Sequence, residues 1–162
     1  GFVEGTFSFD IIHWNHARSA DILVGANWSD DANALGWKGT TTLAGTAGHG
    51  TSSPYDIHNT LIAAGPAFKK SAQNKVATGN VDLAPTILQL MGIPLASSME
   101  GRVLTELFAD GPQPNDVSSE TREFSVESKR AGSTYRCSLS ASTVSGKRYV
   151  NFTRTERIHN TQ

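Results

Sequence analysis

Five histidines, one cysteine and a scatter of carboxylates are the side chains here that could do chemistry. His49 stands out because Gly48 and Gly50 flank it in a Gly/Ser/Thr-rich stretch between two apolar runs. Glycines on both sides let the backbone turn sharply and let a ligand approach closely. An imidazole so placed suits a zinc ligand. The plainer alternative is a surface-loop histidine. His58 follows Asp56 at a spacing of two, so a carboxylate could orient it or ligate beside it. Its structural alternative is a backbone-bonded histidine at the start of a strand. Asp10, His13 and His16 form an Asp-x-x-His-x-x-His spacing in which Asp10 and His13 could share a helical face. Trp14 and Asn15 interrupt that pattern, and His159 belongs to a terminal tail.

Other chemistries leave no signature. There is no Gly-x-Ser-x-Gly elbow, P-loop or dinucleotide glycine fingerprint. Asp21, Asp30 and Asp31 are spread rather than paired as glycosidase carboxylates are. Cys137 alternates with apolar residues and reads as a small core hydrophobe. As the single cysteine it also excludes an internal disulfide framework and a Cys-based zinc finger.

The elements that would position these residues change character along the chain. Residues 20–25 and 59–64 are short apolar runs ending at glycine, which predicts buried strands. Residues 40–43 form a weaker strand signal. A helix opens at Asn80 or Asp82 and runs to Met91, with Pro85 in its first turn and Gly92 as its C-terminal cap. Leu83, Ile87, Leu90 and Met91 follow helical spacing, and a short helix is expected over Leu104–Phe108. Residues 110–116 are rich in turn formers. Beyond them the period becomes two over 121–129, 133–141 and 147–157. Phe124/Val126, Tyr135/Cys137/Leu139 and Val150/Phe152 mark the inward faces, with hairpin turns at 130–133 and 144–147. The expected fold is α/β: a partial sheet with helices over 1–110, a linker at 111–116 and an antiparallel three-strand meander over 117–162.

The chain has 162 residues, about one domain by the usual prior of roughly 150. Fourteen Lys and Arg against fifteen Asp and Glu give a net charge of −1, which argues against nucleic-acid binding. Hydrophobic residues make up 38%, too many for a disordered chain, and no apolar run is long enough to span a membrane. No charged-then-apolar leader stands at Gly1, so any signal peptide is expected to have been removed. Asn27-Trp28-Ser29 and Asn151-Phe152-Thr153 are N-glycosylation triplets, relevant only in a eukaryotic secretory pathway.

The order of several motifs resembles the C-terminal part of the alkaline phosphatase superfamily, closest to type I phosphodiesterase/nucleotide pyrophosphatase. They begin with the run at Arg18–Val24, the Gly48-His49-Gly50 loop and the apolar run ending in Gly65-Pro66-Ala67-Phe68-Lys69. Val81-Asp82-Leu83-Ala84-Pro85-Thr86, Leu90-Met91-Gly92-Ile93-Pro94 and Gly101-Arg102-Val103-Leu104 follow. The match covers about residues 16–108. It implies an alkaline-phosphatase-like sheet, phosphoester or nucleotide substrates, and two divalent metals, commonly zinc, that clamp a phosphoryl group. By resemblance His49 matches the last histidine ligand of one metal, whereas His58 has no ligand counterpart. The family's nucleophile and remaining ligands lie N-terminal to the matched region, so the resemblance implies a C-terminal piece with an incomplete metal site and no catalytic residue of its own. Such a piece is expected to be inactive alone. It would partner the upstream part of the same polypeptide or self-associate through unpaired strands. A secreted or periplasmic location is what the family implies. The alternatives are a non-catalytic binding or assembly module, and a piece of a sulfatase or phosphomutase.

Overall fold

The computed structural model describes residues 1–41 and 49–159. Among the described residues it contains a few helices and one antiparallel three-strand sheet in the order β1-β2-β3, the expected meander of an α/β fold. β1 is Ser119–Arg130, β2 Ser133–Val144 and β3 Lys147–His159. Period-two alternation sets the faces: Phe124, Val126 and Ser128 of β1 are half-buried or buried while their neighbours are exposed. Ser145 and Gly146 both have positive φ (49° and 76°), the geometry of a two-residue turn whose twist matches the flanking strands. The strands run slightly longer than the pattern predicts, and His159 is the last residue of β3 rather than part of a loose tail. Tyr135 departs from its expected inward position: it is exposed, with the Arg157 guanidinium 5.7 Å from its ring centre.

The apolar runs at 20–25 and 59–64 are not strands. Ile22, Val24 and Ile62 are 68%, 85% and 84% exposed. A doubly buried strand needs a ladder partner on its edge and a layer on each face. Among the described residues the only sheet is the meander, which includes neither run. Of the expected strand at 40–43, Thr41 makes an isolated bridge to Trp28, and residues 42 and 43 lie outside the described residues.

The chain divides into two compact units. The first comprises Gly1–Asn59, Arg122–Ala141 and Val150–Gln162. Here Trp28 is the buried anchor, edge-on to both Tyr55 and Phe152. The short helix α1, Pro54–Ile57, starts at Ser53, whose hydroxyl accepts the Tyr55 N–H at 3.2 Å.

The second unit comprises Thr60–Thr121 and Ser142–Tyr149. A 3-10 turn at Asn80–Asp82 leads into α2, Leu83–Leu90. Gly92, at φ 66°, ends α2: its N–H reaches Gln89 O at 3.2 Å and the Ile93 N–H reaches Leu88 O at 2.9 Å. The stripe Leu83, Ile87, Leu90 and Met91 lies on the exposed side of α2, and the buried residues are Pro85 and Thr86. Thr105–Leu107 forms the expected short helical turn. Phe68 pairs antiparallel with Phe108 beside it.

Candidate functional site

In the first unit, His49 lies in a loop and is exposed. The segment that follows is firmly tied. The Asp56 carboxylate accepts the Thr51 N–H at 2.6 Å. The Thr153 N–H of β3 donates to Ser52 O at 3.0 Å, and the Ser52 and Thr153 hydroxyls also bond. Asp56 therefore closes the loop after His49 instead of orienting His58. His58 caps the C-terminal end of α1, its N–H on Pro54 O at 3.2 Å.

The N-terminal spacing does not converge on a ligand site. His13 ends the 3-10 turn Phe9–Ile12 with φ 55°. The Asp10 carboxylate accepts from the Ser8 hydroxyl at 2.7 Å and from the Asn15 amide. His16 Nδ1 accepts the Arg18 N–H at 3.0 Å. Among the described residues no three His, Cys, Asp or Glu side chains gather to hold a metal ion. Residues 42–48 and 160–162 contain none of those residue types. A catalytic zinc needs about three protein ligands, more than any cluster of the described residues brings together.

Two constellations went unread in the sequence. The first surrounds Trp28. Its indole N–H donates to Thr153 O at 2.6 Å, and the Arg154 guanidinium stacks 4.4 Å above its ring centre. Arg154 also pairs with Asp30, which accepts the Tyr55 hydroxyl at 3.0 Å. The Tyr55 hydrogen bond and then that of Arg154 hold the Asp30 carboxyl below its ordinary range. The same bond to Asp30 raises the Tyr55 phenol. Arg154 and Asp30 are 124 residues apart, so no local spacing could reveal them.

The second constellation lies in the other unit, among the residues that carry the resemblance. Asp82 is fully buried. Its carboxylate accepts the N–H of Gly79 at 2.9 Å, the N–H of Arg102 at 2.8 Å and the Tyr149 hydroxyl at 3.1 Å. The Arg102 guanidinium forks onto Glu106 at 2.8 and 2.7 Å and also reaches Ala77 O at 3.1 Å. Asn74 donates to Glu106 at 3.2 Å. Burial opposes ionisation of Glu106, but the hydrogen bonds, led by Arg102, overcome it and lower its pKa. Thr86 bridges, donating to Asp82 O at 2.6 Å and accepting the Leu104 N–H at 3.0 Å. Gly101 is required beside this clasp, because a Cβ there would lie 2.0 Å from Val81 O. The motifs Val81–Thr86 and Gly101–Leu104 are thus one structural clasp. Its local signals were two spacings of four, Arg102/Glu106 and Asp82/Thr86.

The chain is 37% identical over 62 residues to a Caenorhabditis elegans protein named as an extracellular sulfatase Sulf-1 homolog. The aligned stretch is 37% of this chain and 9% of that protein's length. Sulfatases belong to the alkaline phosphatase superfamily, so this similarity supports the resemblance at superfamily level. No family model and no solved structure matches the chain. Among the described residues no helix is long and apolar enough to cross a membrane.

Proposed function

We propose that the polypeptide containing this chain is an extracellular ester hydrolase of the alkaline phosphatase superfamily acting on sulfate esters, and that these residues supply scaffold. The similarity to the extracellular sulfatase homolog carries this reading. The Asp82 clasp gives the scaffold role its physical content: every hydrogen bond of its carboxylate goes to a buried or backbone group of the same unit. In this reading His49 adds one metal ligand to a set completed by other parts of the polypeptide, and no catalytic group resides here. The phosphodiesterase reading stands second, on the motifs between Gly48 and Leu104.

The test compares hydrolysis of para-nitrophenyl sulfate and bis-para-nitrophenyl phosphate by the intact polypeptide and its His49→Ala variant. Preference for the sulfate ester, with rate and bound metal both reduced in His49→Ala, is the expected result. Preference for the phosphodiester puts the phosphodiesterase reading in its place. Hydrolysis of neither supports a binding or assembly module.

A further inference from the structure

The two N-glycosylation triplets take no part in the proposed hydrolase chemistry, and they pack against each other in the first unit. Trp28, the middle residue of one, donates to the carbonyl of Thr153, the last residue of the other. Its ring meets that of Phe152 edge-on at 6.3 Å.

Their asparagines differ in what the amide nitrogen faces. Asn27 is exposed and outside any helix or strand. Its Nδ2 donates to Thr155 O at 3.0 Å and its Oδ1 accepts the Thr155 N–H at 3.3 Å. A side-chain amide nitrogen carries two hydrogens, and this pairing uses one. Asn151 lies within β3 and is half-buried. Its Nδ2 donates at 3.1 Å to the hydroxyl of Ser140, a buried residue of β2. A sugar on that nitrogen would be directed at the covered part of the sheet.

We propose that Asn27 is an N-glycan acceptor and that Asn151 remains bare. This rests on the extracellular reading above, because the modification requires the secretory pathway. In the transfer, Asn27 Nδ2 attacks the anomeric carbon of a polyprenyl-pyrophosphate-linked oligosaccharide. The new C–N bond replaces the C–O bond to pyrophosphate, which leaves with the electron pair, and the nitrogen loses one proton. The sugar of a trans secondary amide takes the hydrogen position syn to Oδ1, so attachment gives up the bond to Thr155 O and leaves the Thr155 N–H to Oδ1 bond to hold the side chain.

The test routes the full chain into a eukaryotic secretory pathway with an added leader, so the outcome is independent of its natural address. Peptide N-glycosidase digestion in heavy-oxygen water then marks each former glycan site as a labelled aspartate for peptide mapping. Label at Asn27 and none at Asn151 is expected. Ser29→Ala, which leaves the Asn27 side chain in place, should lose the mobility shift of one glycan, and Thr153→Ala should lose none. Label at Asn151, or a secreted chain with no label at Asn27, overturns the assignment. Failure of the extracellular reading is seen separately, as retention of the natural polypeptide inside cells, and leaves the mapping result standing.

Discussion

The carboxylate of Asp82 and the backbone N–H of Arg102 meet at 2.8 Å across twenty residues of sequence, in the interior of the second unit. Asp82→Ala would strand three donors, the Arg102 N–H and the Tyr149 hydroxyl in the interior and the Gly79 N–H at its half-buried edge. Unfolding free energy should fall by about 3–5 kcal/mol, the cost of breaking a buried charged network. Asp82→Asn, which keeps an acceptor, should lose less. Urea denaturation of both variants measures it, and equal losses would contradict the expectation that a neutral acceptor still holds part of the network.

Arg102 and Glu106 form a buried pair, so its members should not contribute additively. Glu106→Ala leaves a guanidinium without its fork partner and should cost about 3–5 kcal/mol. Arg102→Met with Glu106→Leu removes both charges and refills the space. The double variant should be more stable than Glu106→Ala alone. A double variant as weak as the sum of two single losses would show that the pair is held by shape and not by charge.

Tyr149 gives the second unit an alkaline limit. Burial, then the adjacent Asp82 carboxylate, push its hydroxyl from 10.0 up to about 12. The folded state therefore holds that proton more tightly than the unfolded state. Its contribution is fully present below pH 10 and is lost as pH rises to about 12. Thermal midpoints across that window should decline more steeply for the native chain than for Tyr149→Phe. Parallel declines would remove Tyr149 as the cause.

The Trp28 cluster separates packing from charge. Trp28→Ala empties a buried site and deletes the bond to Thr153, so about 3–5 kcal/mol should be lost. Arg154→Ala breaks an exposed pair with Asp30 and should cost no more than about 1 kcal/mol. Urea unfolding followed by far-ultraviolet circular dichroism, which does not depend on the deleted tryptophan, compares the two.

Ile22, Val24 and Ile62 leave apolar surface in water. The chain should bind a hydrophobic dye and sediment faster as concentration rises. Ile22→Glu with Val24→Glu should reduce both effects. A concentration-independent monomer that binds no dye would count against association.

The meander was legible because its information is local: period-two alternation and two glycine-containing turns fix it. The α2 boundaries were legible for the same reason, through Pro85 and Gly92. Residues 20–25 and 59–64 misled because an apolar run reports a wish for burial, not the presence of a partner. The Asp82–Tyr149 contact spans 67 residues, and nothing in either neighbourhood points to the other. His49 was conspicuous for its glycines, but Asp56, the nearest carboxylate in sequence, is spent on Thr51.

Asn27 impersonates a peptide group. By offering one donor and one acceptor to Thr155, it occupies the slots on β3 that a foreign strand would need for edge-to-edge pairing. Fibril-like growth at that point would first have to evict a side chain held through two hydrogen bonds. The association predicted above is thereby left to the exposed apolar side chains Ile22, Val24 and Ile62, which carry no ladder of N–H and C=O groups to set a register.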